Sequence, residues 1–81
     1  MPRYYLHIRS ADGTALDEEG TDLPDLNSAR EHALAGAREM LASAIKVGND
    51  RIPESIVVTD VSGKELAAIP FRDALPTQLR D

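Results

Sequence analysis

One amphipathic segment in the middle of this 81-residue chain constrains its fold more than any other feature. Along residues 25–47 the apolar side chains fall on one stripe when each residue is advanced by about 100°. Asp25 is suited to cap the beginning of a helix here and Gly48 to end it. The stripe consists of Leu26, Ala33, Leu34, Ala37, Met40, Leu41, Ala44 and Ile45. The sequence therefore predicts one long helix with a single buried face.

A strand pattern precedes the helix. Residues 3–9 alternate with a period of two, which is typical of a strand with one buried face. One face would carry Tyr4, Leu6 and Ile8, and the other Tyr5, His7 and Arg9. A turn at residues 10–13 and a short polar strand at 14–17 would complete a first hairpin.

A second hairpin is predicted after the helix. Residues 55–60 are rich in β-branched side chains, and residues 65–71 follow after a turn at 61–64. Pro70 cannot donate a hydrogen bond to a neighbouring strand, so it places the last strand at an edge of the sheet or ends it.

The order ββαββ predicts an α+β domain in which the helix packs on one face of an antiparallel sheet of about four strands. We expect a single domain over residues 1–75 and a loose C-terminal tail over residues 76–81. The face of the sheet that the helix leaves uncovered is where we expect partners to bind.

Composition excludes several classes of protein. The net charge of −5, from 14 acids and 9 bases, disfavours nucleic acid as a partner. With no cysteine, disulfides, thiolate catalysis and Cys-ligated zinc are excluded. No apolar run approaches the roughly 18 residues of a membrane span, and the N-terminus has no signal-peptide pattern. We therefore expect a cytoplasmic protein.

The densest charged feature is the segment Asp17-Glu18-Glu19, within a stretch between Ser10 and Ala29 that has six acids and no base. It could dock a basic partner. The alternative, which we favour, is a solvated hairpin end followed by a helix N-terminus. The candidate interaction surface comprises Tyr5, His7, Arg9, Asp17, Glu18 and Glu19.

His7 and Arg30 could carry chemistry. His7 could act as a general base or ligate a metal with a neighbouring carboxylate, but one histidine with carboxylates is a poor zinc set, and a role in packing is favoured. Arg30 falls on the inward face of the helix, where we expect a structural ion pair with Glu18, Glu19 or Asp22. A ligand-anchoring role is its alternative. We assign no catalytic residue, metal or cofactor.

Three blocks of the sequence resemble a family of very small bacterial proteins classed as a domain of unknown function. They are PRYYLH at residues 2–7, DEEGTDLPDL at 17–26 and PFRDAL at 70–75. The resemblance covers nearly the whole chain and implies a stand-alone bacterial protein, and it brings no activity with it.

A weaker resemblance concerns residues 20–26 and the Ala-rich helix that follows, which are similar to the corresponding region of HicB-type antitoxins. Those are small acidic domains that neutralise an RNase toxin and often carry a DNA-binding segment. This chain lacks their extra strand before the helix and any appended DNA-binding part.

These observations favour a small protein-interaction or regulatory module that binds a protein partner or forms a homodimer. They lean against an enzyme without deciding the matter. One alternative is a small-molecule-binding domain or minor enzyme that uses His7, Arg30 and a carboxylate. Another is an antitoxin-like partner of a basic protein.

Overall fold

The computed structural model describes residues 1–80. The elements are β1 (Arg3–Ser10), β2 (Gly13–Ala15), β3 (Thr21–Asp22), α1 (Leu26–Val47), β4 (Ser55–Thr59) and β5 (Glu65–Pro70), followed by 3₁₀ helices at Phe71–Ala74 and Thr77–Leu79. The predicted α+β class and the order ββαββ are confirmed.

The sheet is antiparallel throughout, with the strand order β2-β1-β4-β5. A two-residue strand that the sequence pattern did not predict, β3, pairs with the beginning of β1 through Arg3↔Asp22 and Tyr4↔Thr21. The last strand, β5, lies at an edge and ends at Pro70, as predicted. The longest strand therefore has a different partner along each half of its outer edge.

Both predicted ends of the helix are confirmed. The Asp25 carboxylate accepts the backbone N–H of Ser28 at 2.8 Å, which satisfies one of the donors that a helix N-terminus leaves free. Gly48 ends the helix in the left-handed region at φ 73°, and the N–H of Asn49 donates to the Ala44 carbonyl at 2.8 Å. These caps account for a helix that spans Leu26–Val47.

The turn between β4 and β5 is organised by Asp60. Its Oδ1 accepts the backbone N–H groups of Ser62 and Lys64 at 2.9 and 3.0 Å. Gly63 supplies the positive φ of 87° that this turn requires. The second hairpin predicted from the sequence is present.

The core lies between α1 and one face of the sheet. The helix contributes small residues, which let its axis come close to the strands. The buried residues of this cluster are Tyr4, Ala29, Ala33, Ala37, Leu41, Ile56, Val58, Ile69 and Phe71. Since Leu6 and Ile8 also pack against the cluster, Tyr5, His7 and Arg9 lie on the face that the helix leaves uncovered.

The helix extends beyond the sheet. Its 22 residues span about 33 Å, whereas the five residues of β4 span about 17 Å. Two residues of the predicted inward stripe are exposed, Met40 to 37% and Ile45 to 69%. Helical periodicity indicated which face turns inward but not where the sheet beneath it stops.

The segment predicted as a loose tail includes the second 3₁₀ helix. Arg80 donates from Nε to the Leu75 carbonyl at 3.0 Å and from Nη2 to the Asp73 carbonyl at 2.8 Å. Asp81 lies outside the described residues, and the domain boundary at residue 75 stays a prediction. Among residues 1–80, no helix is long and apolar enough to cross a bilayer.

Candidate interaction surfaces

The open face of the sheet, opposite the helix, brings together three of the predicted surface residues. Strand register places Tyr5 beside Thr59, His7 beside Val57 and Arg9 beside Ser55. The Tyr5 and His7 rings stack at a centroid distance of 6.3 Å and an angle of 8°.

An ion pair crosses the open face. Arg9 on β1 reaches Glu65 on β5, with an Nη2–Oε1 distance of 3.1 Å. The register of β4 places Val57 beneath this crossing, and Val57 is only 5% exposed although the helix lies on the other side. Both charged side chains are about half exposed, so the pair contributes little to stability beyond covering the central strand.

The His7 side chain connects the open face to the segment after β2 through hydrogen bonds. Its Nδ1 accepts the backbone N–H of Asp17 at 3.0 Å, and its Nε2 lies 3.0 Å from the Thr59 hydroxyl. A ring nitrogen that accepts a hydrogen bond carries no proton, so the proton of the neutral ring lies on Nε2 and is donated to Thr59. A histidine that activates a hydroxyl must instead accept its proton, and this arrangement therefore does not activate Thr59 as a nucleophile.

This geometry predicts one tautomer for His7. In alkaline buffer, long-range ¹H–¹⁵N spectra should show a protonated Nε2 and an unprotonated Nδ1 for His7. His32 is exposed on α1, has no hydrogen-bond partner in residues 1–80 and serves as the internal control with averaged tautomers. A protonated Nδ1 in His7 would contradict the assignment.

The Asp17 carboxylate accepts hydrogen bonds from the backbone of the segments around it. Its Oδ2 accepts the N–H of Leu6 at 3.1 Å, and its Oδ1 accepts those of Glu19 and Gly20 at 3.2 and 3.1 Å. Burial is the largest single influence on the pKa of Asp17 and raises it, but the three amide donors and the nearby His7 together lower that pKa below 3.8. The carboxylate of one member of the predicted interaction surface is thus already hydrogen-bonded to nearby backbone amides.

Residues 16–20 form an acidic loop whose backbone is held in place by hydrogen bonds. Arg3 donates to the Glu19 carbonyl at 3.0 Å and holds the Asp22 carboxylate through Nε and Nη2 at 2.9 and 3.3 Å. The side chains of Glu18 and Glu19 are exposed, and neither makes a hydrogen bond or salt bridge within residues 1–80. Beside them, Leu16 is 70% exposed. The acidic loop therefore holds free carboxylates on a fixed backbone.

The ion pair predicted for Arg30 is absent from the described residues. Arg30 is exposed on the flank of α1 and lines a shallow hollow beside Ala68 and Ile69 of β5. No carboxylate of residues 1–80 lies within 4.0 Å of it, and Asp22 is taken by Arg3. The buried stripe begins at Ala29, which turns Arg30 toward the edge of the sheet. His7 lies on the opposite face, so the structure does not bring these two residues together.

A second surface, which the sequence analysis missed, lies where the helix extends past the sheet. We call it the helix-end patch, and its exposed apolar residues are Met40, Val47 and Ile52, with exposures of 37%, 74% and 47%. They border a hollow of about 310 Å³ whose floor includes Leu41 and Phe71. An apolar residue just before the helix-ending glycine, and another in the following loop, were its only sequence signals.

A second hollow adjoins the first. It measures about 510 Å³ and shares Leu41, Ile52, Pro53 and Phe71 with its neighbour. Ile52 and Pro53 therefore line both hollows, and Leu75 lines the second one only. The helix-end patch thus comprises two adjoining hollows.

The geometry defines a one-helix α+β domain with an acidic loop at one end and an apolar patch at the other. Residues 3–72 match a family described as a domain of unknown function, DUF6894, and the chain belongs to this family. No curated protein and no solved structure matches the chain. Within residues 1–80, no group of three or more His, Cys, Asp or Glu side chains could hold a metal ion.

Proposed function

We propose that this domain is a protein-interaction module that presents its acidic loop to a basic surface of a partner protein. The observation that carries the proposal is that adjacent acids in the loop have different roles. Asp17 fixes the backbone, while the carboxylates of Glu18 and Glu19 stay unpaired and exposed. A loop whose backbone is held in place loses less conformational entropy on binding than a flexible one.

The surroundings of the acidic loop support an electronegative surface. Six acids and no base lie between Ser10 and Ala29, and the neighbouring Arg3 is bound by Asp22. Such a field increases the association rate with a basic partner and makes the rate sensitive to salt. Exposed charges of this kind contribute mainly to speed and selectivity of encounter.

We propose further that this is a cytoplasmic bacterial protein, as the sequence favoured. The resemblance of residues 20–26 to HicB-type antitoxins makes a basic RNase one partner of the required chemistry. The acidic loop runs directly into that segment, and the two share Gly20.

The experiment compares the tagged domain with its Glu18→Lys/Glu19→Lys variant as baits in lysate of the source organism. We expect the variant to lose the basic proteins that the unchanged domain captures, since the reversal converts attraction into repulsion. Asp17 is left unchanged because its reversal would disrupt the loop itself. Capture should weaken as the salt concentration rises.

The matched control is Glu31→Lys/Glu39→Lys, which makes the same charge change on exposed positions of α1. This control should retain the captured proteins. If the loop variant and the unchanged domain capture the same proteins in equal amounts, the proposed function is wrong. Equal losses with the loop and helix variants would show that net charge alone matters and would also overturn it.

A further inference from the structure

We infer that protonation of His7 loosens the acidic loop, so that the fold contains a pH-sensitive attachment for this loop. The attachment is the hydrogen bond that Nδ1 of His7 accepts from the backbone N–H of Asp17 at 3.0 Å. It joins the middle of β1 to the acidic loop, ten residues further along the chain. Histidine is the side chain whose charge ordinarily changes between about pH 5 and 8. The loop is therefore held by an acceptor that a proton can remove.

The two contacts of the His7 ring respond differently to a proton. The cationic ring carries a hydrogen on each nitrogen and has no acceptor, so the Asp17 N–H then faces another N–H in place of a lone pair. A flip of the ring cannot restore the bond, because it only exchanges one N–H for the other. Nε2 lies 3.0 Å from the Thr59 hydroxyl and can donate to it in both states. Protonation thus breaks the contact with the loop and keeps the contact with β4.

The carboxylate of Asp17 strengthens this response. It accepts the N–H groups of Leu6, Glu19 and Gly20, and its pKa is lowered below 3.8, so it stays ionised in mildly acidic solution. A cationic His7 ring attracts the carboxylate and repels the backbone N–H of the same residue. The two groups of Asp17 then favour different positions of the loop, whereas the neutral ring suits the observed one.

The other charged groups nearby leave Asp17 as the residue on which the ring acts. Besides His7, the titratable residues of the open face and the acidic loop are Arg3, Tyr5, Arg9, Asp17, Glu18, Glu19 and Glu65. Arg3 is paired with Asp22 and Arg9 with Glu65, so both cations are already engaged. Strands β2 and β4 contain no titratable residue. A change in the charge of His7 is therefore felt first by the loop.

The consequence for binding rests on the proposed function. A loosened loop loses more conformational entropy when it binds, and a cationic ring reduces the negative field that attracts a basic partner. Capture by the acidic loop should therefore weaken in mildly acidic buffer. The loosening itself requires no partner, so it can be tested on the isolated chain.

The test is NMR spectroscopy of the ¹⁵N-labelled chain between about pH 8 and pH 5. In alkaline buffer a coupling between the two nitrogen nuclei should be observed across the bond from the Asp17 N–H to Nδ1, and it should vanish as the His7 ring signals titrate. Over the same range the protection of the Asp17 amide, corrected for the intrinsic pH dependence of exchange, should fall about fivefold, the value of one hydrogen bond. The heteronuclear NOE of residues 17–20 should decrease with the same midpoint.

Three variants serve as controls. His7→Gln retains a donor and an acceptor on a side chain that does not titrate, so the mobility of its loop should be independent of pH in this range. His32→Gln makes the same change at an exposed histidine and should keep the response of the unchanged chain. Glu18→Gln/Glu19→Gln should also keep it, which would exclude the free carboxylates of the loop as the titrating groups.

The measurement on the unchanged chain decides the matter even if a variant folds poorly. A His7 ring that stays neutral down to about pH 5 would refute the inference. Loop amides that keep their protection and their heteronuclear NOE while the ring titrates would refute it as well, as would a pH response that persists in His7→Gln. None of these results depends on whether the acidic loop captures a basic partner.

Discussion

Replacing Gly20 by alanine is expected to lower the free energy of unfolding by about 3 kcal/mol, from backbone strain and a steric clash together. Gly20 has φ 73°, which an L-residue adopts at a cost. A Cβ there would lie 2.9 Å from the Cγ of Arg3, 2.9 Å from a ring carbon of Tyr5 and 3.0 Å from the backbone oxygen of Tyr4. The oxygen belongs to β1 and cannot move without disturbing the sheet.

Gly48→Ala provides the matched control for this variant. Gly48 has the same φ of 73°, but no atom lies within 4 Å of the position that an alanine methyl group would take there. Its substitution should therefore cost only the backbone term, about 1 kcal/mol. Urea unfolding followed by circular dichroism measures both variants. Equal losses would show that the contact with β1 contributes nothing.

Removing the Asp17 carboxylate is expected to cost about 2 kcal/mol at neutral pH, because three backbone amides lose a charged acceptor. Asp17→Asn keeps the shape of the side chain and one acceptor oxygen, whereas Asp17→Ala removes both oxygens. The loss should therefore be larger for alanine than for asparagine. Both variants should also loosen the contact between His7 and the Asp17 backbone, which changes the His7 imidazole signals.

The effect of Asp17 should depend on pH with a definite sign. The pKa of Asp17 in the folded chain is lowered below 3.8, so its stabilising contribution is complete above that pH and is lost as the pH falls through the folded pKa. Asp22, Asp25 and Asp60 also have lowered pKa values, so the whole domain should lose stability in acid. The difference in free energy of unfolding between the unchanged chain and Asp17→Asn, measured as a function of pH, gives the contribution of Asp17.

Asp12→Asn is the control for the loss of a carboxylate, since Asp12 is exposed and makes no hydrogen bond within residues 1–80. At neutral pH its free energy of unfolding should match that of the unchanged chain. If the Asp17→Asn difference stays constant from neutral pH into strong acid, the carboxylate is not the group that holds the loop.

Much of the fold could be predicted because its signals are local. The helix is fixed by a periodic stripe together with Asp25 and Gly48, each of which acts within one turn of the chain. The alternation in residues 3–9 correctly separated the two faces of β1. The second hairpin was evident from its β-branched strand and its turn.

The remainder depends on contacts between distant segments. The two residues of β3 are too few to show a period, and their place is set by the pairing of Asp22 with Arg3. The role of Asp17 could not be inferred from its charge, because the amides that it binds come from a strand and from the next turn. The helix-end patch depends on where the sheet stops, which no pattern within the helix records.

The position of β4 has a consequence for synthesis of the chain. All five of its residues are buried, and it is the strand that joins β1 to β5. It begins at Ser55, so the last third of the chain supplies the middle of the sheet. A nascent chain that ends before this strand has an apolar helix face and a long unpaired strand edge, both of which promote aggregation. The sheet therefore cannot be completed until residues 55–70 have been synthesised, and a message truncated upstream of Ser55 would yield a substrate for proteases.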